Sequence, residues 1–303
     1  MRAQSDWAFF QLERADVLCP GTVEELAAAV QAGRVPYAGG TDLLIRALQG
    51  DGRLPALAWT PAVRALRDVR SSRPALQIGG AASAHRVAAA PEVRRGAPAV
   101  AEAAELIGSV QIRTRATLAG NVCNASPAAD SLPALVVHAA EAVLRRGVTT
   151  RSLPLTDLQL GPGHNALLPG EFLEWLEVRR LGEREGSCYR RFTVRASMDL
   201  AFVGVAALVR LAPDGRTLER ARLALGAVGP TVETASEAAA LLEGREPTPE
   251  LLRECGEAAA AGCHPIDDLR ASAAYRRRVV VALVREAVGE AVSRAHRHLE
   301  GGI

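Results

Sequence analysis

Aromatic residues make up only 4% of this 303-residue chain, against 49% hydrophobic residues in all. A core must therefore be filled by many small contacts from Ala, Val and Leu rather than by a few large rings. Neither sign of charge dominates, because 36 Lys plus Arg stand against 34 Asp plus Glu. That balance gives no electrostatic reason to expect nucleic acid or an anionic membrane as partner. The five cysteines, Cys19, Cys123, Cys188, Cys255 and Cys263, are odd in number and never closely spaced. Neither a disulfide framework nor a zinc or iron–sulfur nest is expected, and a reducing cytoplasm fits this usage. No uncharged run is long enough to cross a bilayer, and Met1 to Phe10 carries Asp6 and no apolar stretch of signal-peptide length. A soluble protein acting with small molecules or other proteins is expected.

The length exceeds the usual size of one domain, so two are expected. After Pro20, Thr22 and Glu25 have the spacing of a capping box, and a helix to about Gln31 follows, with Gly33 suiting its stop. Residues 35–38 read as a strand running into Gly39-Gly40-Thr41-Asp42, after which Leu43, Leu44, Ala47 and Leu48 recur at helical spacing. A second such region begins with a helix from Glu102 to near Gly108, then the polar run 111–115, then residues 117–121, a loop by composition. Ser126-Pro127 reads as a cap and first helical position, with Leu132, Leu135, Val136 and Ala139 as the buried stripe. Strand-like pieces recur at 76–78, 142–144 and 172–178. Past Gly186, residues 199–208, a Pro213-Asp214-Gly215 turn and residues 221–228 carry a hairpin signature. Helical composition at 233–243 and 250–261 completes an antiparallel sheet with helices beside it, and the boundary falls near 180–187.

Two segments can bind an anion. Gly39 and Gly40 remove two Cβ atoms where a strand turns into a helix, so backbone amides can approach a pyrophosphate, although such a turn is also a common structural device. Thr41 adds a hydroxyl, whereas Asp42 is better explained as a cap or a donor-orienting residue. Residues 117–121 offer a hydroxyl, a glycine and an amide for phosphate or ribose oxygens, or form an ordinary turn. Asp130 suits the first turn of the next helix by dipole stabilisation alone. The six histidines are scattered singly, which favours surface or packing roles, and Arg276-Arg277-Arg278 reads as a solvated helix face.

Together these runs resemble the medium, flavin-carrying subunit of molybdenum hydroxylases, the xanthine dehydrogenase and carbon monoxide dehydrogenase flavoprotein family. Ala38-Gly39-Gly40-Thr41-Asp42-Leu43 is similar to the family's Ala-Gly-Gly-Thr/Ser-Asp-Leu. Residues 111–121 resemble its Gln-Ile-Arg-Asn-x-Gly-Thr-Ile-Gly-Gly-Asn, and 124–130 its Asn-Ala-Ser-Pro-x-x-Asp. Pro169-Gly170-Glu171-Phe172-Leu173 resembles the end of the flavin domain, Met198-Asp199-Leu200-Ala201 the opening of the C-terminal domain, and residues 265–276 its closing helix. The resemblance spans nearly the whole chain, in order.

The resemblance implies an α+β protein. A vanillyl-alcohol-oxidase or cresol-methylhydroxylase-type FAD-binding domain would occupy 1–182, as two α/β subdomains of about 1–58 and 59–182. A smaller C-terminal domain of antiparallel sheet plus helices would occupy 187–292, with a tail at 293–303. It further implies non-covalent FAD held by Tyr37, Ala38, Gly39, Gly40, Thr41, Asp42 and Leu43 and by Thr117, Leu118, Ala119, Gly120 and Asn121. Asp130 would bond the adenosine side, Ile107 and Leu173 stand where relatives contact flavin or adenine, and Arg191 stands where a relative has a cofactor-contacting Lys. Partners would be an iron–sulfur small subunit and a molybdenum-binding large subunit in a heterotrimer-type assembly. Electrons would run from the clusters through FAD to NAD, oxygen or another acceptor, with no catalytic residue and no metal site on this chain. Thr114, Ala116 and Ala119 depart from the family's Asn, Gly and Gly, so a site needing positive φ would strain an alanine by roughly 1 kcal/mol unless Gly120 alone is left-handed. A stand-alone FAD oxidoreductase of the same fold and a flavin-free scaffold remain as alternatives.

Overall fold

The computed structural model describes residues 15–50, 53–72, 74–195 and 198–299. The segment Met1 to Phe10, read above for a leader, lies outside them. Strands Val17–Leu18, Leu57–Trp59 and Val35–Tyr37 form a small parallel sheet in that order. The helix Val23–Gln31 covers it, burying Leu26, Ala27, Ala29 and Val30 against Ala58, Val63, Leu66 and Phe172. Thr22 accepts the Glu25 amide as expected, while the Glu25 carboxylate reaches one residue further back, to the amide of Gly21.

The second sheet is antiparallel throughout, in the order Val69–Ser72, Ala75–Gly79, Phe172–Arg179, Glu141–Arg146, Thr149–Pro154. Between its second strand and Glu141–Arg146 the chain is helical, and that layer packs on the sheet almost wholly through alanine, valine and leucine. The third sheet joins Glu185–Phe192, Val203–Leu211, Leu218–Gly226 and Glu233–Thr234 in sequence order, under the helices Pro249–Ala261 and Ala273–Leu299. A hairpin of Gln159–Gly161 and His164–Asn165 completes the strands.

Several local expectations are corrected. Residues 117–121 are not a loop: the Thr117 hydroxyl accepts the Gly120 amide at 2.9 Å and caps a helix, Leu118–Cys123. Consequently Thr114, Ala116, Ala119 and Gly120 all avoid positive φ, Ala116 lying at −58°. The alanine strain is absent, because Ala119 lies in right-handed helix and Ala116 in extended backbone at negative φ, both of which suit alanine, and Gly120 is not left-handed either. Ser126 caps only a turn, through the Ala128 amide, and the helix starts later, at Ser131–Val137. The Pro127 carbonyl is taken instead by the Ala227 amide of the third sheet at 2.8 Å. Residues 233–234 are an edge strand rather than helix, and only Ser236–Ala240 is helical there. Residues 265–272 precede the last helix rather than belonging to it, since Asp268 accepts the amides of Arg270 and Ala271 and Asp267 that of Ala273. That helix continues to Leu299, so 293–299 prolong it. Arg276 is not on a solvated face: it is 4% exposed, pairs with Asp268 at 2.9 Å and donates to the carbonyls of Phe202 and Ala227.

His138 is buried where the halves meet. Its Nδ1 lies 2.8 Å from the Arg179 carbonyl, which can only accept, so Nδ1 carries the proton and Nε2 accepts from the Ser187 hydroxyl at 2.8 Å. Ser187 in turn accepts the Ala99 amide. Burial lowers the imidazole from 6.5 to about 4. The unfolded chain thus takes up a proton that the folded one refuses, and this residue's contribution to stability is lost as pH falls from about 6.5 towards 4. A His138→Gln variant is expected to melt lower at pH 7 but to lose less on acidification to pH 5 than the parent, as thermal melts at the two pH values would read.

Candidate functional site

Gly39 and Gly120 line one cleft of about 510 Å³. A Cβ on Gly39 would stand 2.1 Å from the Arg115 carbonyl oxygen and 2.8 Å from the Ala116 nitrogen, so only glycine lets the two segments lie backbone to backbone. Gly40 follows at φ +74°, in the left-handed region, with the Tyr37 ring packed against it. The first segment is fixed by the parallel strand Val35–Tyr37 and the second by the pairing of Ser83 with Thr117.

Side chains brace the two segments directly. Asp42 makes no capping bond to the helix Leu43–Gln49 and instead accepts from Asn124 Nδ2 at 3.2 Å, which is the donor-orienting role. The Asn124 amide oxygen accepts from Arg46. Arg46 lines the cleft and pairs with no carboxylate among the described residues. Asn121 accepts from the Ser131 hydroxyl at 2.6 Å, which fixes its side chain at the start of the following helix.

Asp130 joins the halves of the chain. One carboxylate oxygen accepts from the Tyr189 hydroxyl at 2.8 Å and the other from Arg191 at 2.6 Å, with Asp130 and Arg191 side chains 9% and 5% exposed. Burial pushes its carboxyl up from 3.8 to about 6, against the pull of Arg191 and Tyr189, so it is ionised at neutral pH. The Tyr189 phenol is raised well above 10 by burial and by Asp130. A third cleft carboxylate, Asp199, is held below its usual range by the Arg195 and Leu200 amides. All three acids that line the cleft among the described residues are thus engaged within the protein, which leaves backbone amides, hydroxyls and the rest of the Arg46 guanidinium to meet an anionic ligand.

Of the residues proposed from the sequence, Tyr37, Ala38, Gly39, Gly40, Thr41, Asp42, Leu43, Ile107, Thr117, Gly120, Asn121 and Asp130 line this cleft. Leu118, Ala119 and Leu173 are buried in the adjoining core, and Arg191 reaches the site through Asp130. Sequence reasoning missed Arg46, Asn124 and Tyr189. Arg46 stands one helical turn beyond Asp42, and Tyr189 stands two residues before Arg191 on one strand face; both spacings were readable.

The family described as the FAD binding domain in molybdopterin dehydrogenase matches residues 10–178, and the CO dehydrogenase flavoprotein C-terminal domain matches 187–291. The chain therefore belongs to the FAD-binding subunits of the molybdenum hydroxylase family. It is 28% identical to the putative xanthine dehydrogenase FAD-binding subunit of Escherichia coli (strain K12), over 87% of this chain and 90% of that one. It is also 28% identical to the carbon monoxide dehydrogenase medium chain of Hydrogenophaga pseudoflava, over 76% and 79% respectively. A solved structure of carbon monoxide dehydrogenase from Hydrogenophaga pseudoflava, lacking the Mo-pyranopterin moiety, superposes with a TM-score of 0.87 over 93% of this chain and 99% of its own, at 27% identity. Among the described residues no helix is long and apolar enough to cross a membrane. FAD is the cofactor of this family, and the cleft's bare glycine backbone and engaged acids suit its diphosphate.

Proposed function

We propose that this chain passes electrons from the iron–sulfur clusters of a small partner subunit, through FAD in the cleft, to NAD, oxygen or another acceptor. A large subunit carrying the molybdenum cofactor would complete the complex and hydroxylate its substrate there. The observation that carries this reading is the backbone contact of Gly39 with Arg115, which puts two sequence-remote segments around one cleft. When bound, FAD supplies the exchange between single-electron and paired-electron transfer. The chain's part is to bind and orient. Residues 37–43 and the segment Thr117, Leu118, Ala119, Gly120 and Asn121 would hold the diphosphate and the chain beside it. Asp130 would accept from a ribose hydroxyl while Arg191 and Tyr189 keep it ionised and aimed, and Ile107 and Leu173 would shape the apolar part of the site.

Among the described residues no histidine lines the cleft and its carboxylates are engaged, so proton abstraction from an organic substrate has no evident agent there. This favours an electron-transfer subunit over a stand-alone oxidoreductase. The purified chain is expected to be yellow, to release its FAD on denaturation, and to be reduced by the iron–sulfur subunit of the native complex. Colourless protein that takes up no FAD would return the scaffold reading. Flavin-loaded protein that purifies from its host with neither iron nor molybdenum would return the stand-alone oxidoreductase.

A further inference from the structure

A second cavity, of about 480 Å³, lies at the far end of the helix Ser131–Val137 from Asp130. Val136 and Leu155 of the first half and Leu223 and Ala239 of the second give it a mostly apolar lining, and its volume suits a small molecule. Two arginines enter it. Arg220 and Arg222 stand two apart on the strand Leu218–Gly226 and hence on one face, the face turned towards the first half of the chain.

Among the described residues neither arginine pairs with a carboxylate. Arg222 is half-buried and makes one long bond, 3.5 Å, to the Val137 carbonyl; Arg220 makes no side-chain hydrogen bond or ion pair among the described residues. Glu141 and Glu243 line the same cavity yet bond to neither, and Glu243 accepts the Ala221 amide. Arg145, Arg151, Arg179, Arg191 and Arg294, also partly buried, each hold a carboxylate within 3 Å, whereas Arg113 and Arg180 bond to carbonyls and a hydroxyl instead. Burial and the neighbouring charges of Arg220 and Arg179 lower the proton affinity of Arg222 against the pull of Glu185, and an anion in the cavity would relieve the repulsion between the arginines. A guanidinium cannot escape such a site by deprotonating, and its flat fork matches a carboxylate.

We propose that this cavity binds a small organic monocarboxylate with an apolar body. Its carboxylate sits on Arg222 and Arg220, and its hydrocarbon lies against Val136 and Leu155. The site is separate from the flavin cleft and does not rest on what that cleft binds. The test is calorimetric titration of the full FAD-loaded chain with 3-phenylpropanoate and with its uncharged isostere 3-phenylpropanamide. The acid is expected to bind about tenfold tighter than the amide or better, the usual value of a charged hydrogen bond. Arg222→Gln is expected to erase that preference, and Ala240→Trp, at an exposed lining position, to abolish binding of both compounds, with flavin content unchanged in each variant. Should Arg222→Gln fail to fold, Arg220→Gln on the exposed side of the pair is expected to weaken the acid alone. Equal binding of acid and amide, absence of binding by either, or a preference that survives the arginine variants overturns the proposal. So does binding that survives Ala240→Trp.

Discussion

Gly39→Ala is expected to yield a chain that folds and carries almost no flavin. The added methyl would stand 2.1 Å from the Arg115 carbonyl oxygen, and that oxygen cannot swing aside as a side-chain end would. The Arg115 backbone is fixed on both sides. The helix Val110–Arg115 is capped by Ser109, and the next residue, Ala116, gives its carbonyl to the Ala84 amide at 2.8 Å. The first segment must therefore retreat and open the cleft. Overpacking of this kind costs about 3 kcal/mol at its upper range, which corresponds to about a hundredfold loss of FAD affinity. The ratio of flavin to protein absorbance after purification, followed by titration with FAD, measures it. Parent-like affinity in this variant would show that the contact between the segments does not shape the cofactor site.

The second large effect is expected at Asp130 and Arg191, measured by urea unfolding of flavin-free protein so that cofactor loss does not enter. Asp130→Asn and Arg191→Met each leave one member of a nearly buried pair without its partner, which costs about 3 kcal/mol. The double variant is expected to cost clearly less than the two together, since no unpaired charge remains. Additive costs would mean that the pair is not coupled in solution. The pH dependence has a definite sign. The folded-state value of Asp130, about 6, lies above the ordinary 3.8, so its charge opposes folding above pH 6 and this penalty is relieved as pH falls towards 4. Asp130→Asn lacks that relief. His138 acts in the opposite sense over nearly the same window, so the parent's acid response is the difference of two slopes that the two variants separate.

Much of this molecule was legible from residue order. The strand before Gly39, the hairpin after Gly186 and the Thr22 cap obey local rules, and the structure keeps them. What was not legible is what tertiary contacts decide. Composition made residues 117–121 a loop, but a threonine cap and the pairing of Thr117 with Ser83 favour helix, which removed the reason to expect strain at Ala116 and Ala119. Ser126-Pro127 has the form of a helix start, yet the Pro127 carbonyl is claimed by Ala227, about a hundred residues further on. Arg276 sits in a run of three arginines that reads as solvated, and only Asp268 and two distant carbonyls bury it. At the cleft, the glycines were visible because they are a local device. Tyr189 shares a strand face with Arg191, a spacing that can be read, but the acid it meets stands 59 residues away.

The residues that clasp Asp130 come from the strand Glu185–Phe192, and Met198, Asp199 and Leu200 close the cleft from the same side. A ribosome thus finishes both glycine segments long before the wall opposite them has been translated. That wall acquires its shape only when the strand has its sheet neighbours and the helix Ala273–Leu299 has settled on their back. Cofactor capture is accordingly expected to fall near the end of biosynthesis, with vitamin supply governing how many finished subunits are charged rather than how many nascent ones fold.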